Sequence, residues 1–365
     1  MGDVMSGQYA PRAETIVDLD ALRHNVALLA ERAKVPVMAV VKADGYGHGA
    51  VPIAKAALEA GATWLGACSA AEAVTLRRAG IEAPILAWLY GPGEDLSDAI
   101  AAGVDLGVSS MDELRAAEGA PIHLKIDTGL NRNGCSLEEW PELVRAARDH
   151  NVRAIWSHLA SADEPGDPSI DRQAERFERA YEIAVAEGLK PMRHISNSAA
   201  TLTRPDLAYD MVRVGIAMYG LNPVPQQEDL RPVMTFRSSV ASMKRTRSGE
   251  GVSYGLTWIA QQDTTLALVP VGYGDGVPRG LSGKLEVFVA GHRRPVVGRV
   301  CMDQIVVDCG DDKVRPGDEV ILFGPGDRGE PTAREWADNL GTIDYEIVTN
   351  MYRPRVVRRY VGARG

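Results

Sequence analysis

The chain has 365 residues, is 45% hydrophobic and 24% charged, and carries a formal net charge of -9. That length supports one large domain plus a smaller one, with a substantial core. The acidic balance argues against nucleic acid or an anionic membrane as the main partner, and no apolar run approaches the roughly 18 residues of a membrane span.

The opening MGDVMSGQYAPRAE lacks the basic-then-apolar order of a signal peptide. Gly2 with Ser6 fits the loose myristoylation pattern, but a disordered leader is the preferred reading. Cys68, Cys135, Cys301 and Cys309 form no CxxC pair. They read as reduced thiols of a cytoplasmic protein.

Residues 15–18, followed by a helix carrying Leu22, Val26 and Leu29, form an outlying strand–helix unit. From 36 to 215 eight apolar runs recur: 36–41, 63–68, 84–88, 105–109, 122–127, 152–158, 192–196 and 211–215. Helical spacing separates most of them. One such segment, 50–60, stops at Gly61, and another, 70–79, stops at Gly80. The last connection, 198–210, is the weakest helical candidate. Near-continuous apolar strands alternating with amphipathic helices predict a parallel sheet covered on its faces. Eight units predict a closed (β/α)8 barrel of the TIM type rather than an open sheet.

After about Phe236 the texture changes. Runs at 265–271, 284–289, 295–300, 304–309, 319–323 and 355–361 alternate with turn residues, and helical spacing returns only at 332–340 and 342–349. The expected division is a barrel over 1–235 and a mostly-β domain over 236–365, with residues 1–18 as candidates to pack with the latter.

Polar residues cluster at the predicted strand ends, where barrels of this kind carry their chemistry. Lys42 ends the first run, in AVVKADGYGHG. Lys125 and Asp127 end the fifth, followed by Arg132. His158 ends the sixth; His194, Ser196, Asn197 and Ser198 the seventh; Arg213 and Gly215 the eighth. Each alone has a structural explanation: a hydrogen-bonded core histidine, an ion-paired arginine, a lysine whose ammonium reaches solvent. Together they ask for a reaction. A metal hydrolase fits poorly, since the seven histidines are scattered without HxH or HExxH. A Schiff-base aldolase using Lys42 fits better. So does a lysine holding pyridoxal phosphate as an aldimine, with Tyr46, Ser198 and the Gly215-Ile216 turn available for the phosphate.

These residues resemble the alanine racemases, pyridoxal-phosphate enzymes built on a barrel plus a β domain. The resemblance runs from about Thr15 to Tyr360. AVVKADGYGHG resembles the cofactor-lysine signature, with Gly45 where alanine is usual. KIDTGLNRNG, SHLASAD, HISNSAA, VRVGIAMYGL, GVSYGLTW, GYGDG, GRVCMDQ and GTIDYE follow in order.

The resemblance implies Lys42 as the cofactor lysine and one acid/base, and Tyr254 as the second, reaching in from the other subunit of a homodimer. Lysine and tyrosine have unperturbed pKa values near 10, so both residue types need tuning to work near neutrality. Arg213 is implied to face the pyridine nitrogen, with His158 orienting it. Arg132 would bind the cofactor's phenolic oxygen and the substrate carboxylate. Lys125 would be carbamylated, or else remain a plain lysine beside Asp127. Tyr46, Ser198, Gly215, Ile216 and Tyr345 would hold the phosphate, with Asn197 and His194 behind them. Tyr273, Met302 and Asp303 would line the entrance or the substrate side, Met302 again from the partner. The implied activity interconverts L- and D-alanine in the cytoplasm and supplies D-alanine for peptidoglycan. The rivals are a racemase for serine or lysine, a non-catalytic pyridoxal phosphate carrier, and a decarboxylase of the same plan. The decarboxylase would need a glycine-rich phosphate loop where HISNSAA stands.

Overall fold

The computed structural model describes residues 12–363, so the Gly2/Ser6 pattern lies outside the described residues. The described residues form two compact units, one of residues 20–231 and one that joins residues 12–19 with 232–363.

The first strand, β1 (Glu14–Asp18), belongs to the second unit. The larger unit holds β2 (Val37–Val40), β3 (Trp64–Ala67), β4 (Ile85–Ala87), β5 (Asp105–Val108), β6 (Ile122–Lys125), β7 (Val152–Trp156), β8 (Met192–His194) and β9 (Val212–Val214). All eight are parallel, in the order β8-β7-β6-β5-β4-β3-β2-β9. Between the end strands, Arg213 N–H donates to Ser196 O at 2.9 Å and Asp210 N–H to Arg193 O at 3.1 Å, which brings the sheet round into a nearly closed barrel. Each of the eight apolar runs contains one of these strands.

The intervening helices start where side chains satisfy the free backbone donors. Ser69 and Glu72 form a capping box on the helix Ala70–Arg78. Asp167 caps Pro168–Ala186, with proline in the first turn, where its missing N–H does no harm. That helix buries Ile170, Phe177, Ala180 and Ala184 at helical spacing.

Two glycines shape the barrel interior. A Cβ on Gly66 would stand 2.8 Å from Trp88 Cζ3, and one on Gly107 would stand 3.0 Å from Trp88 Cα and 3.5 Å from Trp156 Cζ2. The two indoles, 6.0 Å apart between ring centroids, therefore fill space that these strands leave open. Met38, Leu86 and Met211 pack with Trp64 and Trp88 in the same interior.

The second unit contains β10 (Met234–Ser239), β11 (Ser242–Thr246), β12 (Gly251–Val252), β13 (Trp258–Ile259), β14 (Thr264–Val269), β15 (Glu286–Val289), β16 (His292–Val297), β17 (Ile305–Gly310), β18 (Glu319–Phe323) and β19 (Val357–Val361). β12 and β13 form a separate two-stranded piece. The rest make a nine-stranded sheet, β11-β14-β17-β16-β15-β18-β10-β1-β19. β1 lies antiparallel to β10 and parallel to β19. Met234 and Thr235 pair with Val17 and Ile16, so this sheet takes in residues just before 236. Phe236, Phe323 and Trp336 form its aromatic centre.

Gly66→Ala must displace a rigid indole in a filled interior. The expected loss is about 1–3 kcal/mol, read as a lower urea midpoint at unchanged m.

Candidate active site

Lys42 follows β2 directly, and its Nζ lies 5.9 Å from the ring centroids of both Tyr46 and Trp88. Burial lowers its pKa. Cys68 and Glu72 oppose that shift, and the cations Arg132 and Arg213 add to it. Lys125, buried at the end of β6, places Nζ 4.5 Å from the Trp156 ring centroid. Burial first, then Arg213 and Arg132, bring its pKa down to about 8, against smaller opposing effects of Glu113 and Asp127.

Arg213 is buried in β9. Its Nη1 donates to His194 O at 2.9 Å and to His194 Nδ1 at 3.1 Å. Its Nη2 donates to Ser157 O at 2.8 Å, His158 Nδ1 at 3.1 Å and Ile195 O at 3.2 Å. Among the described residues no carboxylate touches it. Burial pulls its pKa down, yet a guanidinium keeps its proton at neutral pH. The pKa of half-buried His158 falls well below the ordinary imidazole value, through burial and then through Arg213, Arg132, Lys125 and Lys42. His158 is therefore a neutral acceptor.

The loop after β6 carries Arg132. Asp127 Oδ1 accepts from Gly129 N–H at 2.8 Å and Asn131 N–H at 3.2 Å, and Asp127 N–H donates to Cys135 O at 2.9 Å. Arg132 is exposed, and its charge reaches Lys42, Lys125 and His158.

Asn197 caps the short helix Ser198–Thr203, its Oδ1 accepting from Ala200 N–H at 3.0 Å. Ser198 Oγ accepts from Gly215 N–H at 2.9 Å and Ala217 N–H at 3.3 Å. Buried Ile216 starts the turn that follows. Tyr46 packs on Tyr219 with ring centroids 4.8 Å apart. A Cβ at position 215 would stand 2.6 Å from Tyr46 Oη, so this cradle requires glycine there.

The barrel unit thus gathers Lys42, Tyr46, Lys125, Arg132, His158, His194, Ser198, Arg213, Gly215 and Ile216. The remaining candidates lie in the sheet unit. Tyr254 is 70% exposed and Met302 is 52% exposed. Ser253 Oγ donates to Arg299 O at 2.9 Å and lies 3.4 Å from Cys301 Sγ. Tyr273 N–H donates to Cys301 O at 3.0 Å. Arg355 links Asp303, at 2.7 Å, to buried Asp275, at 2.9 Å. Tyr345 lines a cleft of about 660 Å³ with Pro278, Leu340 and Ile347.

Several participants escape the strand-end reading: Trp88 and Trp156 beneath the lysines, Ser157 through its carbonyl, Glu72 at the turn after Lys42, and His123. The signal for His123 was present. It stands two residues before Lys125 on β6, so it shares that residue's inward face.

Four cations surround the barrel mouth, and a glycine-dependent cradle of backbone N–H groups, a serine and a tyrosine lies beside them. This donor set fits an anionic ligand, and a desolvated lysine next to it fits a carbonyl partner. Fold and site are those expected of an enzyme of the barrel-plus-β-domain class that holds an anionic carbonyl cofactor such as pyridoxal phosphate. Residues 17–223 match the family "Alanine racemase, N-terminal domain", and residues 233–360 match "Alanine racemase, C-terminal domain". The chain is 56% identical to the alanine racemase of Thermobifida fusca over 96% of this chain and 98% of that one. It is 53% identical to the alanine racemase of Mycobacterium avium, over 95% of each. The crystal structure of alanine racemase from D-cycloserine-producing Streptomyces lavendulae superposes with a TM-score of 0.93 at 47% identity, covering 97% of this chain and 98% of that one. The Bacillus anthracis alanine racemase solved with bound L-Ala-P gives 0.89 at 35% identity, over 97% and 96%. The chain belongs to the alanine racemases, pyridoxal 5'-phosphate-dependent isomerases that interconvert L- and D-alanine. No described helix is long and apolar enough to cross a membrane.

The pKa of Lys125 predicts a pH effect. Its folded value of about 8 lies below the ordinary 10.5, so between these the unfolded chain binds more protons. Stability contributed by this group therefore rises with pH across that window. Lys125→Met is expected to remove this slope and to raise the urea midpoint at neutral pH, measured in carbon-dioxide-free buffer.

Proposed function

We propose that this chain racemises alanine with two proton-handling groups, Lys42 and Tyr254, in a cytoplasmic homodimer that supplies D-alanine for peptidoglycan. The observation that carries the proposal is a desolvated Lys42 in a mouth of cations that an anionic ligand would balance. Lys42 would hold the cofactor's aldehyde carbon. Tyr46, Ser198, Gly215, Ile216 and Tyr345 would take its phosphate, with Asn197 fixing the helix that presents Ser198. Arg213, braced by His158 and His194, would face the ring nitrogen. Arg132 would take the phenolic oxygen and the substrate carboxylate, and a carbamylated Lys125 would give Arg132 an anionic neighbour. Bound pyridoxal phosphate supplies an electron sink for the α-carbon.

Racemisation needs a proton removed at one face of the α-carbon and returned at the other. Lys42 Nζ would serve one face, and its lowered pKa suits a base near neutrality. Tyr254 Oη would serve the opposite face. Tyr254 and Leu256 line an open groove of about 370 Å³ with Cys301 and Val306, and both are exposed in the single chain. Exposed apolar groups of this kind support a site completed by a second copy. Met302, Tyr273 and Asp303 would line the same approach.

Holoenzyme in deuterated water, given L-alanine, L-serine and L-lysine in turn, should exchange the α-hydrogen and form D-product fastest with alanine. Cofactor binding without exchange on any of the three would sink the proposal and leave a carrier. Lys42→Ala and Tyr254→Phe should each lower kcat by roughly 10²–10⁴-fold. Co-produced in one cell, the two variants should regain activity, because a heterodimer rebuilds one intact site from an unmodified lysine and an unmodified tyrosine. A mixture no more active than its parts would exclude shared sites.

A further inference from the structure

Arg213 is a buried cation that lies 5.0 Å over the Trp156 ring and hydrogen-bonds to carbonyls and imidazoles. The way its charge is held leads away from the mouth, through two more buried side chains, to the opposite end of the barrel. His194 Nε2 lies 2.9 Å from His123 Nδ1, and His123 Nε2 lies 3.1 Å from Asp105 Oδ2. Asp105, His123 and His194 are all buried. Asp105 is the first residue of β5, at the strand-start end, where Arg153 Nη1 stands 3.5 Å from its carboxylate.

Donor counting leaves one arrangement. Arginine only donates, so His194 Nδ1 accepts from Arg213 and the neutral ring carries its hydrogen on Nε2. His123 Nδ1 must then accept from His194, which puts the His123 hydrogen on Nε2, facing Asp105. Burial lowers the pKa of both imidazoles, and two neutral rings fit this count. Each bond donates the same way, from Arg213 to His194 to His123 to Asp105. The rings are also fixed in plane. His194 stacks on Trp156 at 5.7 Å between centroids, and His123 meets Trp64 edge-on at 5.4 Å.

We propose that Asp105 and His123 are positioning residues for Arg213, acting through the tautomer of His194. The inference rests on the proposed role of Arg213 toward the cofactor. Asp105 is the acceptor that holds the His123 hydrogen on Nε2. His123 holds the His194 hydrogen on Nε2. A lone pair is thereby fixed 3.1 Å from Arg213 Nη1. With the opposite tautomer, an N–H would face an N–H at that contact, and the guanidinium would have to turn. Nη1 and Nη2 carry all the protein bonds found for this guanidinium. Nε–H is the donor that remains for a ligand, so such a turn would re-aim it.

The test is made on holoenzyme labelled with ¹⁵N-histidine, by long-range proton–nitrogen correlation. Both His123 and His194 should appear as neutral rings protonated on Nε2. An Nδ1–H tautomer or a doubly protonated ring at either position overturns the proposal, whatever the enzyme's activity. Asp105→Leu removes the terminal acceptor. It should disturb the His194 signals, move the visible absorbance band of the bound cofactor, and lower kcat on alanine by roughly ten- to a hundredfold with KM little changed. Asp105→Asn keeps an acceptor of the same shape and should restore the tautomers, the band and most of the rate. It also serves if the leucine variant does not fold. An Asp105→Leu enzyme with unchanged His194 signals, absorbance and kcat would overturn the proposal. The tautomers are read without turnover, so a failure of the racemase mechanism would be seen separately.

Discussion

The site is organised around a backbone that turns the wrong way. Ala43, Asp44, Gly45 and Tyr46 all have positive φ, between 51° and 63°, in the left-handed helical region. For residues with a Cβ this costs about 1–2 kcal/mol each, and only Gly45 is free of it. The surroundings over-determine the turn. Gly45 N–H donates to Val41 O at 2.8 Å, Gly47 N–H to Ala43 O at 3.0 Å, and Gly49 N–H to Asp44 O at 2.7 Å. Ala43 N–H reaches Glu72 Oε1 at 2.7 Å, and Ala50 N–H reaches Asp44 Oδ1 at 2.9 Å. His48 Nδ1 lies within 3.0 Å of the Gly45 and Tyr46 carbonyls, so it carries the hydrogen there. The consequence is positional. Lys42 and Tyr46 are four residues apart, yet the tyrosine ring lies near the ammonium and its hydroxyl sits against Gly215. Glu72 ties this turn to the next unit of the barrel, because the same carboxylate closes the capping box on the helix 70–78.

Electrostatics follow from that placement. Arg132 and Arg213 depress the pKa of Lys42 and Lys125, all four cations depress that of His158, and the nearby acids are already engaged. Glu113 accepts from Ser109, Glu72 from backbone N–H groups, and Asp127 from its own loop. The mouth is a region of positive potential walled by indoles, where a charge is poorly screened. An anionic ligand there would offset the part of the lysine shifts that comes from Arg132 and Arg213. Burial is the first cause of both shifts, ahead of the arginines, and Trp88 and Trp156 are among the groups packed near the two ammonium groups.

Much of this was legible in the chain itself. All eight barrel strands fall inside the apolar runs, because a strand covered on both faces needs no polar alternation. Lys42, Lys125, His158, Ser198 and Arg213 stood out because a polar side chain at the end of such a run needs a reason. Other features were hidden for physical reasons. The left-handed turn runs through Ala43 and Tyr46, which disfavour it, and Asp44, which visits it only as a single residue, and tertiary bonds impose the conformation. β11 is mostly exposed and polar, and β12 and β13 have two residues each, too short to show a period. The role of His123 depends on three partners from three different strands, a juxtaposition that only the nearly closed barrel creates.

Left-handed backbone also flanks the second proton-handling candidate. Ser253 has φ 64° and ψ -174°, a combination that belongs almost entirely to glycine, and Gly255 and Leu256 follow with φ 71° and 47°. Ser253 and Leu256, which carry a Cβ, cost of order 1–3 kcal/mol each there and persist only where the structure holds them. Here the hold is visible. Ser253 Oγ is tied to Arg299 O, and Gly298 has no Cβ because one would stand 2.6 Å from Ser253 Cβ and 2.7 Å from Val252 O. A relaxed extended strand would carry Tyr254 along the sheet, alternating with its neighbours. The strained turn lifts it clear of the sheet and leaves it exposed. Lys42 and Tyr254 thus stand next to backbone that the local sequence does not favour, in units that fold around separate cores. Strain recurring beside both residues, and held by bonds rather than by composition, is what a reaction requiring one proton acceptor and one proton donor, separately aimed, would select.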